Sequence, residues 1–322
     1  MTPPPPARAV VFAYHTVGVR CLSVLLAHKV QIPLIISHED DPGETIWFES
    51  VARLAQNEGI PLLTPSTPNA RDLIERIASL QPDFIFSFYY RHMLGSDLLA
   101  IPKIGCYNMH GSLLPRYRGR VPVNWAVVHG EPETGATLHR MEIKPDAGDM
   151  VGQQAVRILP NDTAQQVFTK VCCAAESLLG RVLPDLLAGQ ARHHPLDLTR
   201  GSYFGGRRPD DGRIDWQGSA WQIHNLIRAV APPYPGAFFA YQGAIIQVLG
   251  SYFKGEPARH ALRPCLYWEG EHCWVDCRDG VRLQLTHLAM RGIPLSRADV
   301  QRMLPGNPQP LLDPPQQCPD PQ

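Results

Sequence analysis

The chain has 322 residues, enough for two domains of ordinary size, and 44% hydrophobic against 19% charged residues is a globular balance, neither disordered nor fibrous. Lys plus Arg and Asp plus Glu each number 30, so the basic excess of a general nucleic-acid binder is absent and no nucleic-acid partner is expected. The longest apolar runs, such as 10–13 and 32–36, fall far short of the roughly 20 residues that cross a bilayer, and no membrane contact is expected.

Met1-Thr2-Pro3-Pro4-Pro5-Pro6 has neither the basic start nor the apolar core of a secretion signal. Residues 1–7 read as a disordered leader. From there to residue 190, apolar runs alternate with helical periodicity, which predicts an α/β domain built on a doubly wound, mostly parallel sheet. Strands are expected at 9–14, 30–37, 61–63, 83–88, 104–109, 135–143 and 150–158. Ile46, Val51, Leu54 and Ala55 predict a helix over 44–58; Leu73, Ile74 and Ile77 predict one over 71–80. Asp162-Thr163 marks the start of a long helix over 164–187.

The polar, glycine-rich passage 191–211 reads as a linker. A second domain over 212–305 begins with a helix near 219–230. Strands follow at 237–241, 245–253, 272–277 and 281–289, a pattern that suggests a small β-barrel. After Pro305 the chain is dominated by Pro, Gln and Asp, and 306–322 reads as a mobile tail. Eight cysteines include no CxxC pair, which suits a reducing cytoplasm. His272, Cys273 and Cys277 lack the second close pair of a tetrahedral zinc site, so no metal is expected.

Asn108 and His110, two residues apart at the end of an expected strand, share a face. Open sheets of this type bind ligands at the carboxyl ends of their strands. The first turn, Tyr14-His15-Thr16-Val17-Gly18, lacks G-x-G-x-x-G, so NAD is not expected. An amide donor, an imidazole and the carboxylate of Asp146 fit acyl transfer to an amine. Asn108 could donate to the developing oxyanion, His110 could move the proton, and Asp146 could orient the imidazole and favour its charged form. Singly, each residue suits a turn cap as well. Ser112 sits in no G-x-S-x-G elbow, which speaks against a serine nucleophile.

The blocks Phe86-Ser87-Phe88-Tyr89-Tyr90-Arg91-His92, Asn108-Met109-His110-Gly111-Ser112-Leu113-Leu114-Pro115 with Arg116-Tyr117-Arg118-Gly119-Arg120, and Thr134-Gly135-Ala136-Thr137-Leu138-His139-Arg140-Met141 closely resemble the formyltransferases that use 10-formyltetrahydrofolate. The likeness runs from about Val10 to Phe238 and fades beyond residue 240. It implies a Rossmann-like catalytic domain followed by an OB-like β-barrel, with 10-formyltetrahydrofolate as co-substrate and neither metal nor NAD. It also implies that His110 transfers the proton, Asn108 stabilises the tetrahedral intermediate and Asp146 tunes His110. His92, Met93, Leu94, Arg120, Glu142, Ile143, Lys144, Pro145 and Asp146 would line the folate site. By residue type alone, Met93, Leu94 and Ile143 suit ordinary core, Arg120 a turn cap, and Phe88, Tyr89 and Tyr90 the sheet core.

Within the family the chain looks most like members acting on UDP-4-amino-4-deoxy-L-arabinose for lipid A modification and polymyxin resistance. Those continue into an NAD-dependent decarboxylating domain, whereas the Pro/Gln-rich tail here leads to an expectation of formylation alone. The alternatives are another UDP- or dTDP-linked amino sugar, methionyl-tRNA, or a binding module that has lost its chemistry. Residues 200–308 carry 13 Lys and Arg against 9 Asp and Glu, which decides nothing. The acidic loop His38-Glu39-Asp40-Asp41-Pro42-Gly43-Glu44 would repel a polyanion and favours the sugar.

Overall fold

The computed structural model describes residues 6–241, 243–261 and 263–311. Residues 1–5 of the expected leader and 312–322 of the expected tail lie outside the described residues. The chain divides into two compact units, one drawn from Met1–Val123, Glu133–Arg157 and Val167–Gly206, the other from Asn124–Pro132, Ile158–Gln166 and Arg207–Gln322. No helix among the described residues is long and apolar enough to cross a membrane.

Chain order in the first unit runs β1 (Arg8–Ala13), α1 (His15–Ala27), β2 (Gln31–Ile36), α2 (Val51–Asn57), β3 (Leu62–Leu63), α3 (Arg71–Ser79), β4 (Phe84–Phe88), α4 (Ser96–Leu99), β5 (Gly105–His110) and β6 (Arg118–Gly119). Then come α5 (Pro122–Val128), β7 (Glu133–Arg140), β8 (Met150–Arg157), α6 (Ala164–Leu187) and β9 (Tyr203–Phe204), with α5 and α6 each straddling a boundary between the units. The sheet order is β3-β2-β1-β4-β5-β7-β8. Pairing is parallel from β3 to β5 and antiparallel across β5-β7-β8.

Strands β1 and β4 are apolar apart from Arg8 and Ser87 and almost wholly buried, as in sheets covered on both faces. Val10, Phe12, Leu34, Ile36 and Ile85 meet Leu73 and Ile77 of α3 in one core. Each such side chain contributes about 1.5–3 kcal/mol by leaving water. The expected start of the long helix is a reciprocal cap: Thr163 Oγ1 accepts from Gln166 N at 3.3 Å, and Thr163 N donates to the Gln166 side chain at 2.8 Å.

The helix expected over 44–58 is confined to Val51–Asn57, with Ser50 as its N-cap. Pro42-Gly43 breaks the local pattern, and Trp47 and Phe48 turn to pack on His15, a tertiary contact that outweighs helical propensity. Strand order reverses between β1 and β4, where such sheets keep a phosphate crevice. Here that place holds His15 stacked 3.9 Å from Phe48, with Phe168 4.6 Å away.

In the second unit, α7 (Ala220–Val230) leads into β10 (Ala237–Tyr241), β11 (Ala244–Tyr252), β12 (Cys265–Glu269), β13 (His272–Asp276), β14 (Arg282–Met290), β15 (Ile293–Pro294), α8 (Arg297–Met303) and β16 (Gln309–Pro310). The sheet, ordered β10-β11-β14-β13-β12-β16 with β15 beside β14, is antiparallel and makes the smaller OB-like domain. To the elements expected from the sequence this unit adds β12, the two-residue β15 and β16, and α8, which starts on a Ser296–Asp299 capping box. Gln309 and Pro310 pair with Leu266 and Cys265, and Leu311 is buried. The first part of the segment expected to be mobile is therefore a strand, ordered by main-chain pairing that its polar composition does not reveal.

Candidate active site

Asn108 and His110 leave the same face of β5, and register with β7 sets His139 opposite Asn108 and Thr137 opposite His110. Directly opposed residues share a face, so four polar side chains form one patch on an apolar sheet. His110, Thr137 and His139 are 6%, 0% and 2% exposed, so every polar atom among them needs a partner. Thr137 Oγ1 donates to Ser112 O at 2.6 Å and accepts from Leu114 N and Gln153 Nε2 at 3.2 and 3.0 Å. This network holds the segment after β5 against the sheet.

That segment returns over His110. Tyr117, at a φ of 57°, offers its carbonyl to His110 Nε2–H at 2.8 Å. Ser112 is wholly buried and donates its hydroxyl to Arg116 O, so it cannot serve as a nucleophile. A side chain at Gly111 would overlap the Tyr89 hydroxyl. Gly119, at a φ of 97° and against Phe204 O, must also be glycine.

The loop 141–149 folds back over the patch and delivers Asp146 in a left-handed conformation, φ 49°. Its Oδ2 accepts from Gly119 N at 2.9 Å. Its Oδ1 stands 3.5 Å from His110 Nδ1, 3.4 Å from His139 Nε2 and 3.5 Å from Asn108 Nδ2. Burial alone would raise the Asp146 carboxyl, but the charge of His110 and the Gly119 N–H hold it well below the usual carboxylate range. His139 Nδ1–H donates to Arg140 O at 2.8 Å. Each ring thus commits one nitrogen as a donor to a carbonyl and turns the other toward Asp146, an arrangement able to hold and hand on a proton.

Non-glycine residues at positive φ recur here: His15 opens α1, and Tyr89, Tyr117, Val121 and Asp146 lie in loops around this end of the sheet. Such strain collects at functional sites. Of the residues expected to line a folate, His92, Met93, Arg120, Glu142, Ile143 and Lys144 are exposed and Pro145 is half-buried. Leu94 is instead 3% exposed and belongs to the core with Phe12 and Ile36. Asn69 pins its loop by accepting from Gly95 N and donating to Met93 O. A separate pocket of about 190 Å³ is lined by Tyr14, His38, Asp40, Phe48 and Thr64.

Sequence reasoning missed His139 and Thr137 as members of the site. Their own spacing of two is visible, but nothing local shows which strand they lie against.

Residues 21–183 match the family described as formyl transferase, and residues 207–299 match the formyl transferase C-terminal domain. The N-formyltransferase from Helicobacter canadensis, solved in complex with folinic acid and dTDP-3-aminofucose, is similar with a TM-score of 0.72 at 20% identity, over 88% of this chain and 99% of that one. WlaRD, a sugar 3N-formyltransferase solved in the presence of dTDP and 5-N-formyl-THF, gives 0.69 at 20% identity, over 87% and 97%. A sugar N-formyltransferase from a Shewanella species gives 0.61 at 17% identity, over 77% and 99%. At these identities the likeness is one of fold.

Proposed function

Because the chain belongs to the formyl transferase family, we propose that it transfers a formyl group from 10-formyltetrahydrofolate to the amine of a nucleotide-linked amino sugar, UDP-4-amino-4-deoxy-L-arabinose. The observation that carries this reading is the approach of Asp146 to within 3.5 Å of His110 Nδ1, with Asn108 alongside.

In this reading Asn108 donates through Nδ2 to the formyl oxygen as negative charge grows on it. His110 works through Nδ1, because Nε2–H is committed to the Tyr117 carbonyl. The attacking amine forms the new C–N bond and gives its proton to Nδ1; a proton returns to the folate nitrogen as its bond to carbon breaks. The products are the formamide and tetrahydrofolate. Asp146 stabilises the imidazolium between those two transfers. Met93 and Ile143, 52% and 62% exposed, supply the apolar surface that a flat pterin needs beside this polar cluster. His92, Arg120, Glu142, Lys144 and Pro145 would complete the donor site.

The acceptor is supported by the acidic loop after β2, which the fold fixes in place. Arg91 clasps Glu44 with two bonds of 2.9 and 2.8 Å, and Tyr14 donates to Asp40 at 2.8 Å. Exposed Glu39, Asp40 and Asp41 disfavour a polyanion such as tRNA. The dTDP-amino sugar and dTDP in the two solved relatives favour a nucleotide sugar.

The test is to incubate the protein with 10-formyltetrahydrofolate and, separately, UDP-4-amino-4-deoxy-L-arabinose, a dTDP-amino sugar and aminoacylated initiator tRNA, and to weigh the products. Formylated UDP-sugar is expected. Formylation of the dTDP sugar alone would move the assignment within the class, formylation of tRNA alone would overturn the acceptor, and none at all would overturn the reaction.

A further inference from the structure

We infer that His139 is a positioning residue that sets the orientation of the Asn108 amide, a role that rests on the reading just given. His139 is 2% exposed and its Nε2 lies 3.1 Å from Asn108 Nδ2 across the β5–β7 pair. The Arg140 carbonyl, 2.8 Å from Nδ1, can only accept, so Nδ1 carries a proton, and in the tautomer that holds this one proton Nε2 presents a lone pair. An acceptor at that place selects the amide nitrogen of Asn108 over its oxygen. One Nδ2–H is held by His139, and the other is left to point at the reacting oxygen.

Without this partner the amide would have a second resting orientation. Asp146 Oδ1, at 3.5 Å, is too distant to hold Nδ2 by itself. With Oδ1 of Asn108 turned to the reacting oxygen, that oxygen would meet a lone pair instead of a donor. The inference therefore assigns His139 an effect on turnover that runs through Asn108 and leaves donor binding alone. Glutamine is the conservative replacement, since its Oε1 can reach the position of the imidazole Nε2.

The experiment is a double-mutant cycle. His139→Ala is expected to lower kcat about tenfold with the KM for 10-formyltetrahydrofolate changed less than twofold, and His139→Gln to recover most of the loss. In an Asn108→Ala background the His139→Ala change should alter kcat less than twofold. An undiminished tenfold loss in that background, or full kcat in His139→Ala itself, would overturn the inference.

A readout without turnover separates this from failure of the proposed reaction. The two side-chain amide protons of Asn108, identified by their loss in Asn108→Ala, should show slowed exchange in the wild type and in His139→Gln and fast exchange in His139→Ala. Equal exchange rates in all three folded proteins would overturn the inference whatever the protein formylates. Should His139→Ala fail to fold, His139→Leu takes its place in both measurements, with the same outcomes deciding.

Discussion

Each unit of this protein buries a carboxylate beside a histidine, yet the two arrangements differ in how completely the carboxylate is used. In the second unit Asp276 accepts from Arg259 N at 2.8 Å, His260 N at 2.7 Å, His260 Nδ1 at 3.0 Å and the Tyr267 hydroxyl at 3.0 Å. In the first, Asp146 has one short bond, to Gly119 N, and three contacts of 3.4–3.5 Å gathered on one oxygen. A carboxylate gripped by four donors at short range is a latch. One whose charge is shared loosely among an amide and two imidazoles can respond when a substrate brings a new donor or takes a proton away. Cys265, with its ligand atom within 4.8 Å of those of His260 and Asp276, does not change this. Burial pushes its thiol up to about 11.

Breaking both clusters should separate these roles. His110→Ala and Asn108→Ala are each expected to reduce turnover by about 10²–10⁴-fold with unfolding curves close to wild type. His260→Ala should leave turnover unchanged. Comparable loss from His260→Ala would erase the distinction. Asp276→Ala, which strands four donors, is expected to cost about 3–5 kcal/mol of stability in denaturant titrations while sparing the kcat of the folded fraction.

A pH experiment sharpens the contrast. His224 is buried, with Nε2–H donating to Pro160 O and Nδ1 accepting from Ser251, and burial lowers it from 6.5 to about 4. Its unfolded form binds a proton that the folded form refuses, so its contribution is present above pH 6.5 and lost as pH falls to about 4. The stability penalty of His224→Gln should therefore shrink by about 3 kcal/mol between pH 7 and pH 4. Asp146, held low in the folded state, contributes stability above its unfolded value near 4 and loses it only in stronger acid. Asp146→Asn should consequently change the unfolding profile below pH 4 and leave its shape between pH 4 and 7 intact. A penalty for His224→Gln that does not vary with pH would remove the first half of this account.

The smallest effect belongs to the surface. Arg91→Ala breaks the pair with Glu44, but both side chains are more than a third exposed or nearly so. It should cost less than about 1 kcal/mol in unfolding experiments.

The core strands were legible because β1, β4 and β5 are mostly apolar, and Asn108 and His110 stood out as polar interruptions at the end of one of them. The acidic loop and the missing glycine turn were equally plain. Ile46 misled, since its spacing to Val51, Leu54 and Ala55 matches a helix, while Trp47 and Phe48 beside it pack on the His15 ring outside the helix. Leu94 suits ordinary core by residue type and packs there with Phe12 and Ile36; a place beside a ligand was implied only by the family resemblance.

What the sequence by itself determined was local: which segments extend, which face Asn108 and His110 share, and that an Asp lies in a loop able to meet them. Tertiary structure alone decided that β7 runs antiparallel to β5 in the register that seats His139 opposite Asn108, and that loop 141–149 returns over the patch. Register is a property of two strands at once, chosen by pairing between residues about 30 positions apart. Alternation along either strand names the residues on a face, but a slip of one residue would put a different set across from them.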